Sequence, residues 1–272
     1  MDILTAIILG IAQGLTEFLP VSSSGHLVLL QKIFGINAPG LFFDTMLHIG
    51  TLSAVFVVLW KDIWEILKKI IQPLTGFLII ATIPAVIFAL AFKDKIESAF
   101  KSGRFLGICF LITSALLIIA EQLAKRAEVK RSGENMNWID AVIIGIFQAV
   151  AIAPGISRSG ATISGALSRK LDRDFAARFS FLLSIPAILG ALVLQVKDIA
   201  KGEALTAAGE SISALSVAAG TITAAIVGFF AVKFMLKLIR EKKLYGFAIY
   251  TAALGLFILL DQFFIKQIIF KN

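Results

Sequence analysis

Charge is scarce in this chain. Asp, Glu, Lys and Arg make up 16 % of its 272 residues, against about 25 % in soluble proteins. Hydrophobic types reach 58 % and the mean hydropathy is +0.91. A folded domain of this size still needs a polar surface, so a water-soluble enzyme is excluded. A disordered chain is excluded by the same figures. Alternation of polar and apolar residues is also missing; the apolar runs are long and continuous, which argues against an outer-membrane barrel. Cysteine occurs once, as Cys109, so no intramolecular disulfide can form and no thiolate metal cluster can be built. A basic n-region and a cleavage site are missing after Met1-Asp2, which predicts that no leader is removed. The net charge of +8 comes without a basic stripe interleaved with aromatics, so it predicts no nucleic-acid partner. In a membrane protein such a surplus belongs to loops and head-group contacts.

What is present is a set of apolar segments long enough to cross a bilayer, at about 20 residues each. They run roughly over 41–60, 75–92, 104–121, 178–196, 213–236 and 245–268. Two further apolar regions are broken. Ile3 to Phe34 is interrupted by Pro20-Val21-Ser22-Ser23-Ser24-Gly25, and Trp138 to Leu167 by Pro154-Gly155-Ile156-Ser157-Arg158-Ser159-Gly160. The piece from His26 to Ile36 would rise only about 16 Å as a helix, half of a hydrocarbon core. Each broken region therefore predicts a re-entrant helix pair. Irregular backbone at such depth must be buried in protein or line a wet cavity.

The two breaks answer each other at an offset of 135 residues: Gly10-Ile11 with Gly145-Ile146, Gln13 with Gln148, Ser22 with Ser157, Ser24 with Ser159, Gly25 with Gly160. The expectation is an all-α polytopic membrane protein forming one integral domain over 1–272. It would be built as an inverted repeat, 1–121 and 138–268, each half a re-entrant helix pair plus three transmembrane helices. An odd number of spans per half forces the inversion, and in such folds the site lies where the broken helices meet. On this topology one membrane face receives Lys61, Lys68, Lys69, Lys125, Arg126, Lys130, Arg131, Arg169, Lys170, Arg173, Arg178, Lys237, Arg240, Lys242 and Lys243. The other receives the shorter series Lys32, Lys93, Lys95, Lys101, Arg104, Lys197, Lys201, Lys266 and Lys271. The first face is then cytoplasmic. Both termini and the first re-entrant pair would open outward.

Charge inside a bilayer costs about 2.5–3.5 kcal/mol per residue on insertion scales, so residues that accept the cost are functional candidates. Glu17, His26 and Arg158 lie in or beside the breaks. Gln13 and Glu17 share a helix face, as do Ser23 and His26. Ser22 is suited to cap the helix that follows it, and its free N–H groups would favour an anion. The second break offers the same arrangement with Ser157, Ser159 and a fixed positive charge on Arg158, the side chain best shaped to clamp a phosphate. The ligand described is phosphate. Glu17 would repel it unless a divalent cation lay between, with Gln13 as a neutral neighbour. A Ser or His nucleophile completes a phosphoryl-transfer site. Plainer roles stand beside these: Ser and Gly as packing or capping residues, Glu17 as an ion-pair partner of Arg158, His26 satisfied by backbone. His48 and Asp44 share one face of the next span and read as supporting groups. Pro84 and Pro186 read as kink formers and Cys109 as core.

Two signatures, Gln13-Gly-Leu-Thr-Glu17-Phe-Leu-Pro20-Val-Ser-Ser-Ser-Gly25-His26 and Pro154-Gly-Ile-Ser-Arg158-Ser-Gly-Ala-Thr162, resemble those of the undecaprenyl pyrophosphate phosphatases, the bacitracin-resistance family of bacterial inner membranes. The stretch from Arg178 to Pro186, the length and the span placement extend the resemblance over nearly the whole chain. It implies removal of the terminal phosphate from a C55 polyprenyl pyrophosphate, recycling the lipid carrier for peptidoglycan synthesis. It implies Mg²⁺ or Ca²⁺ as cofactor, on Glu17 and Gln13. The family's acidic motif is Glu or Gln, three residues, then Glu, so this chain carries the one-carboxylate version. The family's nucleophilic serine falls on Ser23, its histidine on His26 and its arginine on Arg158. Ser22, Ser24, Gly25, Gly155, Ser157, Ser159, Gly160 and Thr162 would line the phosphate. In the implied mechanism Ser23 attacks, with His26 or Glu17 taking its proton; the rival assignment makes His26 the nucleophile. The expected partners are the polyprenyl pyrophosphate and membrane lipids, with a homodimer as a candidate assembly. Two rival readings remain, the first of a different class. A lipid flippase or transporter shares the inverted-repeat pattern. A phosphatidic-acid-type phosphatase shares Ser24-Gly25-His26 but needs a second histidine after its Ser-Arg pair, and none follows Ser157-Arg158.

Overall fold

The computed structural model describes residues 1–36, 40–126, 131–200 and 212–265. Lys130, Lys201, Lys266 and Lys271 of the charge distribution lie outside them. The described residues form twelve α-helices, in order: α1 Ile3–Thr16, α2 Ser23–Ile33, α3 Gly40–Val58, α4 Trp60–Lys68, α5 Pro73–Ala91, α6 Lys93–Ser102, α7 Leu106–Arg126, α8 Trp138–Val150, α9 Arg158–Ser168, α10 Arg173–Ala200, α11 Ala214–Glu241 and α12 Tyr245–Leu260. No strand occurs among the described residues, only an isolated bridge between Arg131 and Leu171. The chain is an all-α polytopic membrane protein. Among the described residues five helices are long and apolar enough to cross a bilayer, and α3 with α4 makes a sixth, bent by 79°.

These six match the apolar segments of the sequence, with shifted ends. The segment over 41–60 stops at Leu59, where the chain turns into α4. Trp60 and Trp64 stack on this short helix and Lys68 lies over the Trp64 ring. Aromatic rings beside Lys suit the head-group layer, where the helix can lie flat. The segment over 178–196 starts earlier, at Arg173, where Asp172 Oδ1 caps the helix through Phe175 N–H at 2.9 Å and the charges of its first turns find partners. Arg178 pairs with Asp62 at 3.0 Å and with Asp174 at 3.1 Å; Arg240 pairs with Asp174 at 2.7 Å; Arg173 reaches Glu121. The buried Asp140 takes Arg131 and Arg169. Arg131, Arg169, Arg173, Arg178 and Arg240 of the larger basic set are thus tied to carboxylates in these pairs.

Helices α1 and α8 are short, 14 and 13 residues, and α2 and α9 have 11 each. An 11-residue helix rises about 16 Å, so neither α2 nor α9 can cross alone. The two broken pairs begin alike. Asp2 caps α1 through Thr5 N–H at 2.7 Å, and Asn137, its counterpart at +135, caps α8 through Asp140 N–H at 3.1 Å. Each pair leans on a long helix from the other half of the chain, α1 on α11 and α8 on α5. Lipid tails are as apolar as Leu, so close backbone approach rather than hydrophobic burial holds such helices together. The counterparts Gly10 and Gly145 provide it: a Cβ on Gly10 would sit 2.5 Å from Gly220 O, and one on Gly145 2.6 Å from Ala81 O. Pro84 and Pro186 both lie inside helices, α5 and α10. The largest buried cluster includes Phe18 from the first break. That ring meets Phe181 edge-on at 5.4 Å and so fixes the end of α1 against α10.

Candidate active site

Each break ends in a serine cap. Ser22 Oγ accepts Gly25 N–H at 3.2 Å and starts α2 at Ser23; Ser157 Oγ accepts Gly160 N–H at 3.0 Å and starts α9 at Arg158. The hydroxyl pairs Ser22–Ser24 and Ser157–Ser159 both lie at 3.3 Å. The first residues of the two short helices, Ser23 and Arg158, are themselves counterparts at +135.

The breaks touch directly. A Cβ on Gly25 would fall 2.9 Å from Gly155 Cα and 2.7 Å from the Phe110 ring. Gly155 has φ +96°, a conformation other residues avoid, and a side chain there would meet Cys109 Cβ at 2.7 Å. Ser159 Oγ donates to Leu19 O at 3.1 Å, tying α9 to the first break. Thr113 on α7 splints the second break: its hydroxyl donates to Gly155 O and accepts from Ser157 N–H, each at 3.0 Å. Thr113 carries no sequence signal, since a single threonine in an apolar span looks like any packing residue.

Glu17 lies where the two short helices converge, 6 % exposed. Its Oε1 accepts from Arg158 Nη2 at 2.5 Å. Its Oε2 accepts from Ser23 Oγ at 2.6 Å and from Gln13 Nε2 at 3.0 Å, with His48 Nε2 at 3.6 Å. Arg158 is also anchored by Nη1 donating to Ser180 O at 3.1 Å. The first residue of each short helix therefore points at one carboxylate, which sits where two positive helix ends favour an anion. The Glu17–Arg158 ion pair of the plainer reading is formed, and it joins the two breaks.

The other expected residues divide by burial. Ser23, Ser24, Arg158 and His48 are part-exposed and can face a ligand. Ser22, Gly25, Gly155, Ser157, Ser159, Gly160 and Thr162 are buried. The buried hydroxyls are engaged internally; Thr162, for one, bonds Arg158 O at 2.8 Å and Ser180 Oγ at 2.6 Å. His48 does more than packing beside a span would require. Its Nδ1 donates to Asp44 O at 2.7 Å, which directs Nε2 at Glu17, while Gln31 Nε2 donates to the Asp44 carboxylate at 3.0 Å.

His26 does not face Ser23 with a free nitrogen. Its Nδ1 lies 2.7 Å from Ser22 O and its Nε2 2.8 Å from the Tyr250 hydroxyl. Tyr250 was not accessible to sequence reasoning, because it sits in a long apolar helix far along the chain from the breaks; Ser180 lies inside the Arg178–Pro186 stretch of the resemblance, where nothing singled it out.

Among the described residues no group of three or more His, Cys, Asp or Glu forms a metal cluster. A smaller donor set does suit a cation. Gln13 Oε1 is buried without a partner while its Nε2 faces Glu17. Turning the amide end for end would place an amide oxygen beside the carboxylate, two hard oxygen ligands on one side of an ion. Mg²⁺ commonly takes one or two carboxylates, keeps waters, and receives the rest from substrate phosphate.

A family model described as bacitracin resistance protein BacA matches residues 6–257. The chain is 48 % identical over 263 residues to undecaprenyl-diphosphatase 3 of Bacillus cereus, covering 97 % of this chain and 98 % of the relative. It is 47 % identical over 262 residues to undecaprenyl-diphosphatase of Carboxydothermus hydrogenoformans, covering 96 % and 98 %. A similar relative from Halothermothrix orenii is 42 % identical, with the same coverage.

Proposed function

Since the chain belongs to the bacitracin resistance protein BacA family and is a membrane hydrolase of undecaprenyl pyrophosphate, we propose that the chemistry takes place at Glu17, between the two breaks. The observation that carries this reading is the single carboxylate receiving both Ser23 and Arg158. The terminal phosphate enters from the part-exposed side. Arg158 swings from Glu17 Oε1 to phosphate oxygens while Ser180 O keeps its other nitrogen in place. Ser23 Oγ attacks the terminal phosphorus, the anhydride bond breaks, and its electron pair leaves on undecaprenyl phosphate. Glu17 Oε2, 2.6 Å from Ser23 Oγ, accepts the serine proton. Water then attacks the phosphoserine, inorganic phosphate leaves, and Ser23 recovers its proton. Glu17 and Gln13 would hold a Mg²⁺ or Ca²⁺, which supplies neutralisation of charge on the phosphate oxygens. Ser22, Ser157 and Ser159 serve the reaction by fixing the two caps.

The inner membrane is the proposed location, with the site opening to the extracytoplasmic face. The clustering of Arg173, Arg178 and Arg240 at one bundle end supports that orientation through the bias of Lys and Arg towards the cytoplasm. The matching caps, and the exchanged packing of α1 on α11 and α8 on α5, support the inverted repeat over 1–121 and 138–268.

Purified protein in detergent, given undecaprenyl pyrophosphate and Mg²⁺, should release inorganic phosphate and leave undecaprenyl phosphate. Chelation should stop release, and Mg²⁺ or Ca²⁺ should restore it. Folded protein that moves the lipid between leaflets but releases no phosphate would replace this reading with a flippase.

A further inference from the structure

His26 is held at both ring nitrogens, and the two contacts fix which nitrogen carries the proton. A backbone carbonyl can only accept, so the 2.7 Å contact to Ser22 O requires hydrogen on Nδ1. In the neutral ring Nε2 is then an acceptor, and the hydroxyl 2.8 Å away belongs to Tyr250. The two rings are near parallel, 7° apart, and Phe110 closes the imidazole edge-on.

The same Ser22 carbonyl also accepts His26 N–H at 3.2 Å. Ser22 has φ +71°, a left-handed conformation costly for a residue with a side chain. Its neighbour is Ser23, whose hydroxyl must be aimed at Glu17. The imidazole is therefore a prop under the turn that presents the nucleophile, and Tyr250 on α12 is what keeps the prop oriented.

We propose that Tyr250 is a positioning residue for the reaction: donating to His26 Nε2, it fixes the imidazole that supports the Ser22 turn, and through that turn it aims the Ser23 hydroxyl at Glu17. The part of this that concerns rate rests on Ser23 and Glu17 acting as described above. The tautomer does not, and can be read in the resting protein. Tyr250 is 47 % exposed, so its ring can lose the hydroxyl without opening a hole in the core.

The test uses full-length protein with ¹⁵N-labelled histidine. The chain has two histidines, so the His26 resonances are assigned by their loss in His26→Gln. The wild type should show Nδ1–H and a hydrogen-bonded, unprotonated Nε2. In Tyr250→Phe, Nε2 should move to the position of a free acceptor. With undecaprenyl pyrophosphate, kcat of that variant should fall about 10-fold, the loss of one hydrogen bond, with KM little changed. An Nε2–H tautomer in the wild type overturns the proposal whatever the variant does. So does a Tyr250→Phe protein that keeps both its Nε2 resonance and its kcat. Wild-type protein that releases no phosphate sinks the functional reading instead, and the spectrum still decides the Tyr250 contact.

Discussion

Glu17→Gln is expected to lower kcat by about 1,000-fold, within the range lost when a general base is removed. The substitution keeps the shape of the side chain but takes away the charge that Arg158, Ser23 and Gln13 all address. The amide nitrogen would face a donor on one side, and the side chain that accepts the Ser23 hydroxyl could no longer take its proton. Any bound cation would lose its carboxylate as well. Glu17→Ala should be as inactive and less stable, because removing one partner of a buried pair leaves the other uncompensated, at about 3–5 kcal/mol. Phosphate release should therefore be measured beside a thermal transition, with Glu17→Gln as the variant in which chemistry and folding separate.

Arg158→Lys should cost about 100-fold in kcat/KM, the equivalent of one charged hydrogen bond of about 2–3 kcal/mol. The guanidinium spans Glu17 Oε1 and Ser180 O at the same time, with a different nitrogen to each. A lysine ammonium is one point and cannot hold the anchor while it reaches for phosphate. The loss should appear mainly in kcat if the clamp tightens on the transition state, and mainly in KM if it only captures the lipid. Arg158→Ala should be lower still, and steady-state phosphate release over a range of lipid concentration distinguishes these outcomes.

Both predictions depend on a carboxylate occupying the position that two helix N-termini prepare for an anion. In the resting protein Glu17 neutralises Arg158 and keeps two charges tolerable at depth. In the proposed mechanism the arriving pyrophosphate would bring the anion that Arg158 takes in exchange, leaving the Glu17 carboxylate as the base beside Ser23. On that proposal the structural ion pair and the catalytic pair would be two states of the same residues.

Much of this was legible in the sequence because it is written locally. Ser22 and Ser157 cap three residues ahead, so a Ser-x-x-Gly spacing is enough to locate the starts of α2 and α9. Glu17 and Arg158 stand out as charges in apolar surroundings, and the 135-residue offset brings their breaks together. Helix ends were less legible: α10 begins at Arg173, where Asp172 caps it through Phe175 N–H and Glu121, Asp62 and Arg240 from other helices pair the charges of its first turns. The bend between α3 and α4 was not legible either: the apolar run to residue 60 reads as one straight span, and the structure turns it by 79° at Leu59. Thr113 and Tyr250 were not legible at all, and Ser180 only as one residue of the Arg178–Pro186 stretch. Each acts by a single hydrogen bond or two across the bundle, and long-range contacts of that kind leave no spacing in the chain. His26 illustrates the limit of motif reading: its place in the motif suggests a base or nucleophile, but its two nitrogens are committed to Ser22 O and Tyr250.

The most direct measurement is to quench the reaction during the first turnover with undecaprenyl pyrophosphate labelled in its terminal phosphate, and to map the label on the protein. The account predicts an acid-stable phosphate on Ser23, absent from Ser23→Ala and not formed by Glu17→Gln. Label on His26, or a full first turnover with no labelled protein at any time point, would contradict it.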